Sequence, residues 1–188
     1  MNLDDIDLFR SLPTLETNRL ILRRMKVSDA QDMYEYSCLK DVTEYLLWSP
    51  HSSVKYTRNY LRSVQISYRR GDFYDWGIEY KADGKFIGTV GFTSFDIDNN
   101  CGEIGYVLNP DYWKMGIATE AVKRIIAFGR DELELHRIEA RYMEGNDASR
   151  HVMEKCGMTF EGMQKDKLFV KGLYRNIGTC AIVFSFNA

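Results

Sequence analysis

The order of apolar patterns along the chain predicts a single α/β (α+β) domain, a mixed and mostly antiparallel sheet of about seven strands with helices on both faces. Three observations predict it. Phe73–Tyr80 and Lys85–Phe95 are strand-like runs joined through Ala82-Asp83-Gly84, and Asp-Gly is the strongest short-range hairpin signal. Glu103 to Leu108 reads as a strand that Asn109-Pro110-Asp111 ends, and a helical pattern follows with Ala118, Ala121, Val122, Ile125, Ile126 and Gly129 on its apolar face. Beyond that crossover helix come three further strand-like runs, Arg137–Tyr142, Phe160–Phe169 and Tyr174–Phe186. At 188 residues with 45% hydrophobic and 13% aromatic side chains, the chain suits one domain with a sizeable core.

Taken in order, residues 1–16 read as an N-terminal extension, and Arg19–Arg24 alternates as a first strand. Ser28 and Gln31 have capping-box spacing and open a helix to about Leu39; Ser52 or Ser53 caps a second one to about Arg70. The tyrosines of this region, Tyr34, Tyr36, Tyr45, Tyr56, Tyr60 and Tyr68, are expected on a core face with hydroxyls at its rim. A polar turn, residues 96–100, returns the chain to the Glu103 strand. Asn146 or Asp147 caps a short helix that Gly157 ends.

A strand, a turn with small residues and a helix can hold an anion, because the first helical amides have no intrahelical partner and carry the positive end of the dipole. Gly116 and Ala118 leave room for a phosphate, and no lysine-serine or lysine-threonine pair follows the glycine as in a P-loop. On its own such a turn is more often a plain tight connection.

Trp113-x-x-Gly116-x-Ala118, followed by Thr119-Glu120-Ala121, resembles the acetyl-CoA pyrophosphate motif of the GNAT acetyltransferases, closest to the branch of bacterial ribosomal-protein N-terminal acetyltransferases. Asn146-Asp147-Ala148-Ser149, Met153 to Met158, Phe160-Glu161-Gly162 and the opening Thr17 to Arg23 resemble that branch in the same order, which makes 17–188 the acetyltransferase domain. Lys114 and Met115 depart from the family pattern, where a glycine and a basic residue are usual.

The resemblance implies a splay between the fourth and fifth strands, with acetyl-CoA as co-substrate and no metal. Backbone groups of Ile104, Tyr106 and Val107 would bond the pantetheine arm, with an N–H at Val107 or nearby supporting the oxyanion. Amides of Met115, Gly116, Ile117, Ala118 and Thr119 would take the pyrophosphate, and Asn146 would add a bond to the arm. Glu103 is the expected base, against the alternative of an edge glutamate paired with a surface cation. Ser149 would hydrogen-bond the departing thiolate or, equally, cap its helix. A second carboxylate known in some ribosomal-protein members would fall near Leu168, where Asp166 serves only if no bulge intervenes.

A formal net charge of −2 gives no footprint for nucleic acid. The acidic N-terminus lacks the order of a signal peptide, and no apolar run approaches the ~20 residues of a membrane span, so the expected setting is the cytoplasm. Cys38, Cys101, Cys156 and Cys180 stand apart as small hydrophobes in a reducing compartment, and His51, His136 and His151 read as surface or cap residues. Three functions follow in order: acetylation of a protein N-terminal amine, acetylation of a small amine (amino sugar, polyamine or antibiotic), and a non-catalytic CoA-binding module. The chain is expected as a monomer or homodimer. No acidic cluster that would select a polyamine is visible in the sequence.

Overall fold

Tyr74–Tyr80 (β3) and Lys85–Asp96 (β4) form the antiparallel centre of the sheet. The computed structural model describes Phe9 and residues 11–185; the rest of the expected N-terminal extension, and Phe186 at the end of the expected last strand, lie outside the described residues. The other strands are Leu15–Glu16 (β1), Leu20–Arg23 (β2), Cys101–Leu108 (β5), Arg137–Met143 (β6), Thr159–Val170 (β7) and Leu173–Val183 (β8). They make one eight-stranded sheet in the order β1-β2-β3-β4-β5-β6-β8-β7. Every neighbour is antiparallel except β5 and β6, the pair joined by the long crossover.

The strand beyond the expected seven is β1, whose two residues pair with Leu22 and Ile21. Its surroundings belong to the core: Phe9, Leu12 and Leu15 are buried, and the Trp76 indole N–H donates to the Pro13 carbonyl at 2.7 Å. Two residues of backbone pairing carry little signal in a sequence, while their burial depends on a strand some sixty positions away.

Helices are Ala30–Ser37 (α1), Lys40–Thr43 (α2), Val54–Arg70 (α3), Ile117–Asp131 (α4) and Asp147–Lys155 (α5). The capping box expected at Ser28 does not form. Asp29 accepts instead from the Lys26 amide at 2.7 Å and holds the Arg23 guanidinium through both oxygens, so the chain enters α1 through a 3₁₀ turn. Ser53 does cap α3, accepting from the Tyr56 amide.

A register shift in the β3–β4 ladder skips Ile87, turning Phe86 to the opposite face from Val90. Phe86 stacks on Tyr36 of α1 with ring centroids 6.4 Å apart. On the other face Trp76 meets Phe128 of α4 edge-on at 5.4 Å, with Leu20, Leu22, Ile78 and Ile138 buried in the same core. Helices therefore cover both faces, and the sheet is buried at its centre. Removing the largest of these side chains leaves a cavity against a rigid crossover helix. Trp76→Ala is expected to lower unfolding free energy by about 3–5 kcal/mol in urea titration; a loss below about 1 kcal/mol would disprove that the β3–α4 contact anchors the sheet.

Candidate active site

The β5–β6 ladder ends at Ile104↔Ala140, although β5 runs on to Leu108 and β6 to Met143. Beyond Ile104 the β6-facing edge of β5 has no strand ladder. Here a cavity of ≈ 470 Å³ opens, with Gly105 and Val107 on one side and Arg141 to Met143 on the other. This is the splay the sequence resemblance implies, one strand later in count because of β1.

Glu103 lies at the fork. Its side chain is 15% exposed, lines the cavity and pairs with the Arg141 guanidinium at 2.6 Å. Both readings of this residue therefore meet in one place: a carboxylate in the cavity and an ion pair across the splay. Tyr106 points to the α4 face, where its hydroxyl donates to the Ser149 carbonyl and shares a second bond with the Ser149 hydroxyl, each 2.8 Å. Burial pushes the Tyr106 phenol up, so it stays protonated. The helix cap at α5 is Asn146, whose Oδ1 accepts from the Ser149 amide at 3.2 Å; the Ser149 hydroxyl is not the cap and is left to Tyr106.

At the far end of β5 the chain turns back through residues 113–116. The Trp113 indole N–H donates to the Leu108 carbonyl at 2.8 Å, and Lys114 and Gly116 both take positive φ, 61° and 75°. Gly116 suits that conformation because it has no Cβ, and it stands directly before α4. No side chain caps this helix, so the amides from Ile117 onward are not occupied by a capping group. Arg19 fixes the turn from below, donating to the Met115 carbonyl at 2.9 Å and pairing with Glu120 at 2.7 Å. Glu120 also accepts from the Thr17 hydroxyl at 2.6 Å. Against the burial that would raise it, the Thr17 and Arg19 bonds hold its carboxyl below the ordinary value.

The model of the acetyltransferase (GNAT) domain matches residues 19–159. The chain belongs to the GNAT acetyltransferase family. It is 33% identical over 161 residues to the uncharacterized N-acetyltransferase p20 of Bacillus licheniformis, covering 86% of this chain and 90% of that one. Among solved structures, a GNAT-family acetyltransferase from Bacillus anthracis superposes with a TM-score of 0.81 at 26% identity, covering 91% and 98% of the two chains. A ribosomal L7/L12 α-N-protein acetyltransferase in complex with coenzyme A has the same fold, with a TM-score of 0.77 at 19% identity over 91% of this chain and 98% of that one.

Two features of this GNAT cavity escape the sequence. Asp75 of β3 reaches it on the same sheet face as Glu103, and burial raises its carboxyl to about 7 although the Thr89 hydroxyl donates to it. A lone Asp in Tyr-Asp-Trp-Gly looks like the polar half of a strand; only the cover supplied by α1 and α3 buries it. His51, expected at the surface, is buried. Its Nδ1 sits 2.8 Å from the Thr57 hydroxyl, its ring meets Trp48, Tyr56 and Tyr60, and burial lowers its pKa.

Asp166 is not brought to the site. The β7–β8 register breaks between Gln164 and Leu168, Asp166 takes φ 48° in that bulge and is exposed, and its amide donates to Asn176. The neighbouring Lys167 and Leu168 line the cavity instead.

Asp75 gives a pH signature. Its folded value lies above its unfolded 3.8, so the fold holds this proton more tightly than the unfolded chain does. Stability from the group is full below about pH 4 and is lost as pH rises through about 7. The surface Asp75 retains is cavity wall, where water moderates the cost. Asp75→Asn is therefore expected to match wild type near pH 4 and to exceed it by about 1–3 kcal/mol above pH 7, read from melting curves across that range. A gap that does not grow with pH would refute the assignment.

Proposed function

We propose that this N-acetyltransferase moves the acetyl group of acetyl-CoA to a primary amine that enters from the aromatic-walled cavity and attacks the thioester directly. The observation that carries this reading is the Glu103 carboxylate placed inside the cavity at the parting of β5 and β6. The residues present suit the co-substrate: an uncapped helix start behind a left-handed Gly116, a strand edge without a ladder, and an Asn146 amide group whose N–H₂ is not used by the helix cap. Acetyl-CoA supplies the acyl group as an activated thioester.

The chain's own groups do the rest. Met115 through Thr119 offer amides to the pyrophosphate, while Ile104, Tyr106, Val107 and Asn146 hydrogen-bond the pantetheine arm. An alkylammonium holds its proton with a pKa of ~10.4, so Glu103 takes that proton through water before the free amine attacks the carbonyl carbon, and the second proton shed by the nitrogen passes to the departing thiolate. The Val107 N–H donates to the oxyanion. As the carbon–sulfur bond breaks, the Ser149 hydroxyl turns its proton from Tyr106 to the sulfur. A hydroxyl is a weak acid, and stabilising the thiolate is the role its chemistry supports.

The acceptor best suited to a cavity walled by Tyr36, Trp48, His51 and Tyr60 is a compact amine. A protein N-terminal amine is the second reading, supported by the fold shared with the ribosomal L7/L12 acetyltransferase. Thiol release measured with small amines and with short peptides bearing free N-terminal alanine or serine separates the two. Turnover on peptides alone would overturn the compact-amine reading, and a protein that binds CoA but releases thiol with neither set would overturn both.

Glu103→Gln is expected to lower kcat/KM about 100-fold across pH 6–9, and an unchanged profile would remove Glu103 from the mechanism. Gly116→Val, forced into left-handed backbone beside the anion, is expected to raise KM for acetyl-CoA about tenfold, equivalent to ~1.4 kcal/mol. An unchanged KM would place the pyrophosphate elsewhere.

A further inference from the structure

Asp75 is a carboxylate in the wrong place for a structural role. None of the groups that act on it is a cation, it forms no ion pair among the described residues, and its one side-chain bond is the neutral Thr89 hydroxyl. Of the cations that line the cavity, Arg141 is paired with Glu103, and neither it nor Lys167 of β7 acts on Asp75. A half-buried carboxylate facing a cavity without a counter-ion costs stability unless something in the working protein meets it.

The surroundings form a receptor. Tyr36 comes from α1, Tyr60 from α3, and His51 from the segment before α3, all lining the cavity that Asp75 faces. Burial pushes the Tyr36 and Tyr60 phenols up, which keeps both rings neutral. Tyr68 holds the strand in place by donating to the Asp75 backbone carbonyl at 2.7 Å. Ser37 lines the same cavity, and its Oγ is buried without any hydrogen-bond partner among the described residues. Aromatic faces, an unpaired carboxylate and an orphan hydroxyl are what an ammonium group requires.

The path from this receptor to the splay is kept clear by two glycines. Asp75 pairs with Gly91, and Gly91 with Gly105, so the three make one cross-strand row on the cavity face. A Cβ on Gly91 would lie 2.7 Å from Asp75 Oδ1, so the carboxylate leans over β4 towards β5. Two strand spacings separate Asp75 from Gly105, roughly 10 Å between α-carbons.

We propose that Asp75, with Tyr36, Tyr60 and Ser37, forms a second acceptor subsite that binds a cationic group of the acceptor while its other amine reacts at Glu103. Resting on the reading of Glu103 above, this makes the acceptor a molecule with two amines a few carbons apart, held at both ends, and makes Asp75 a specificity-determining residue.

The test uses 1,4-diaminobutane against butylamine and 4-amino-1-butanol, with the wild type and Asp75→Asn, near pH 8. Wild type is expected to favour the diamine over both partners at least tenfold in kcat/KM. Asp75→Asn is expected to collapse that ratio to near one through KM, with kcat on the diamine changed by less than twofold. Calorimetric titration of 1,4-diaminobutane into the CoA-bound protein gives a readout independent of turnover, with at least tenfold weaker binding in Asp75→Asn. A diamine preference that survives Asp75→Asn, no diamine binding to wild type, or equal use of the amino alcohol would each overturn the subsite. The amino alcohol result would make Asp75 a neutral hydrogen-bond donor. Absence of thiol release with every amine, alongside Asp75-dependent diamine binding, would overturn the catalytic reading and leave the subsite standing.

Discussion

The parting of β5 and β6 after Ile104 is the constraint from which the rest follows. Parallel strands joined by a crossover helix ordinarily pair along their shared length, and these pair over four positions before diverging. Unladdered backbone in a folded interior is costly unless a ligand or water completes it. The sheet meets the condition by stationing polar side chains at the fork: the Glu103–Arg141 pair crosses it on one face, and Tyr106 reaches Ser149 on the other. The opening is thereby propped rather than merely unpaired.

A propped opening is useful only if the helix that follows β5 starts in the right place, and that position is set by the turn between β1 and β2. Arg19 and Thr17, more than a hundred residues earlier in the chain than Glu120, clamp the start of α4 and the carbonyl of Met115. The clamp explains how the departures at Lys114 and Met115 are tolerated. Lys114 takes the left-handed conformation, and Met115 is used through its carbonyl, so neither side chain is needed for the geometry of the turn.

Much of this was legible because it is local. The Asp-Gly hairpin, the proline after β5, the Gly116 turn and the amphipathic α4 each announce themselves within a window of about fifteen residues, and the family motif lies on these elements. The features that stayed hidden are products of distance. The capping signal at Ser28 lost to an Arg23–Asp29–Glu79 network spanning two strands and a turn. Alternation placed Asp166 beside Leu168 until a bulge turned it outward. His51 and Asp75 are ordinary residues in their own segments, and only the closure of α1 and α3 over the sheet buries them together.

That closure also separates the two acids of the cavity by environment. Glu103 faces the Arg141 guanidinium, a partner that stays in place. Asp75 faces rings and a hydroxyl, and its charge is unstable until a cation arrives. A single carboxylate cannot both hold an ammonium and remove its proton, because the binding interaction stabilises the very form that must be lost. In the proposed mechanism, dividing the tasks between an acid paired within the protein and an acid paired only by the acceptor avoids that conflict. The glycine row between them sets the distance over which one acceptor must satisfy both.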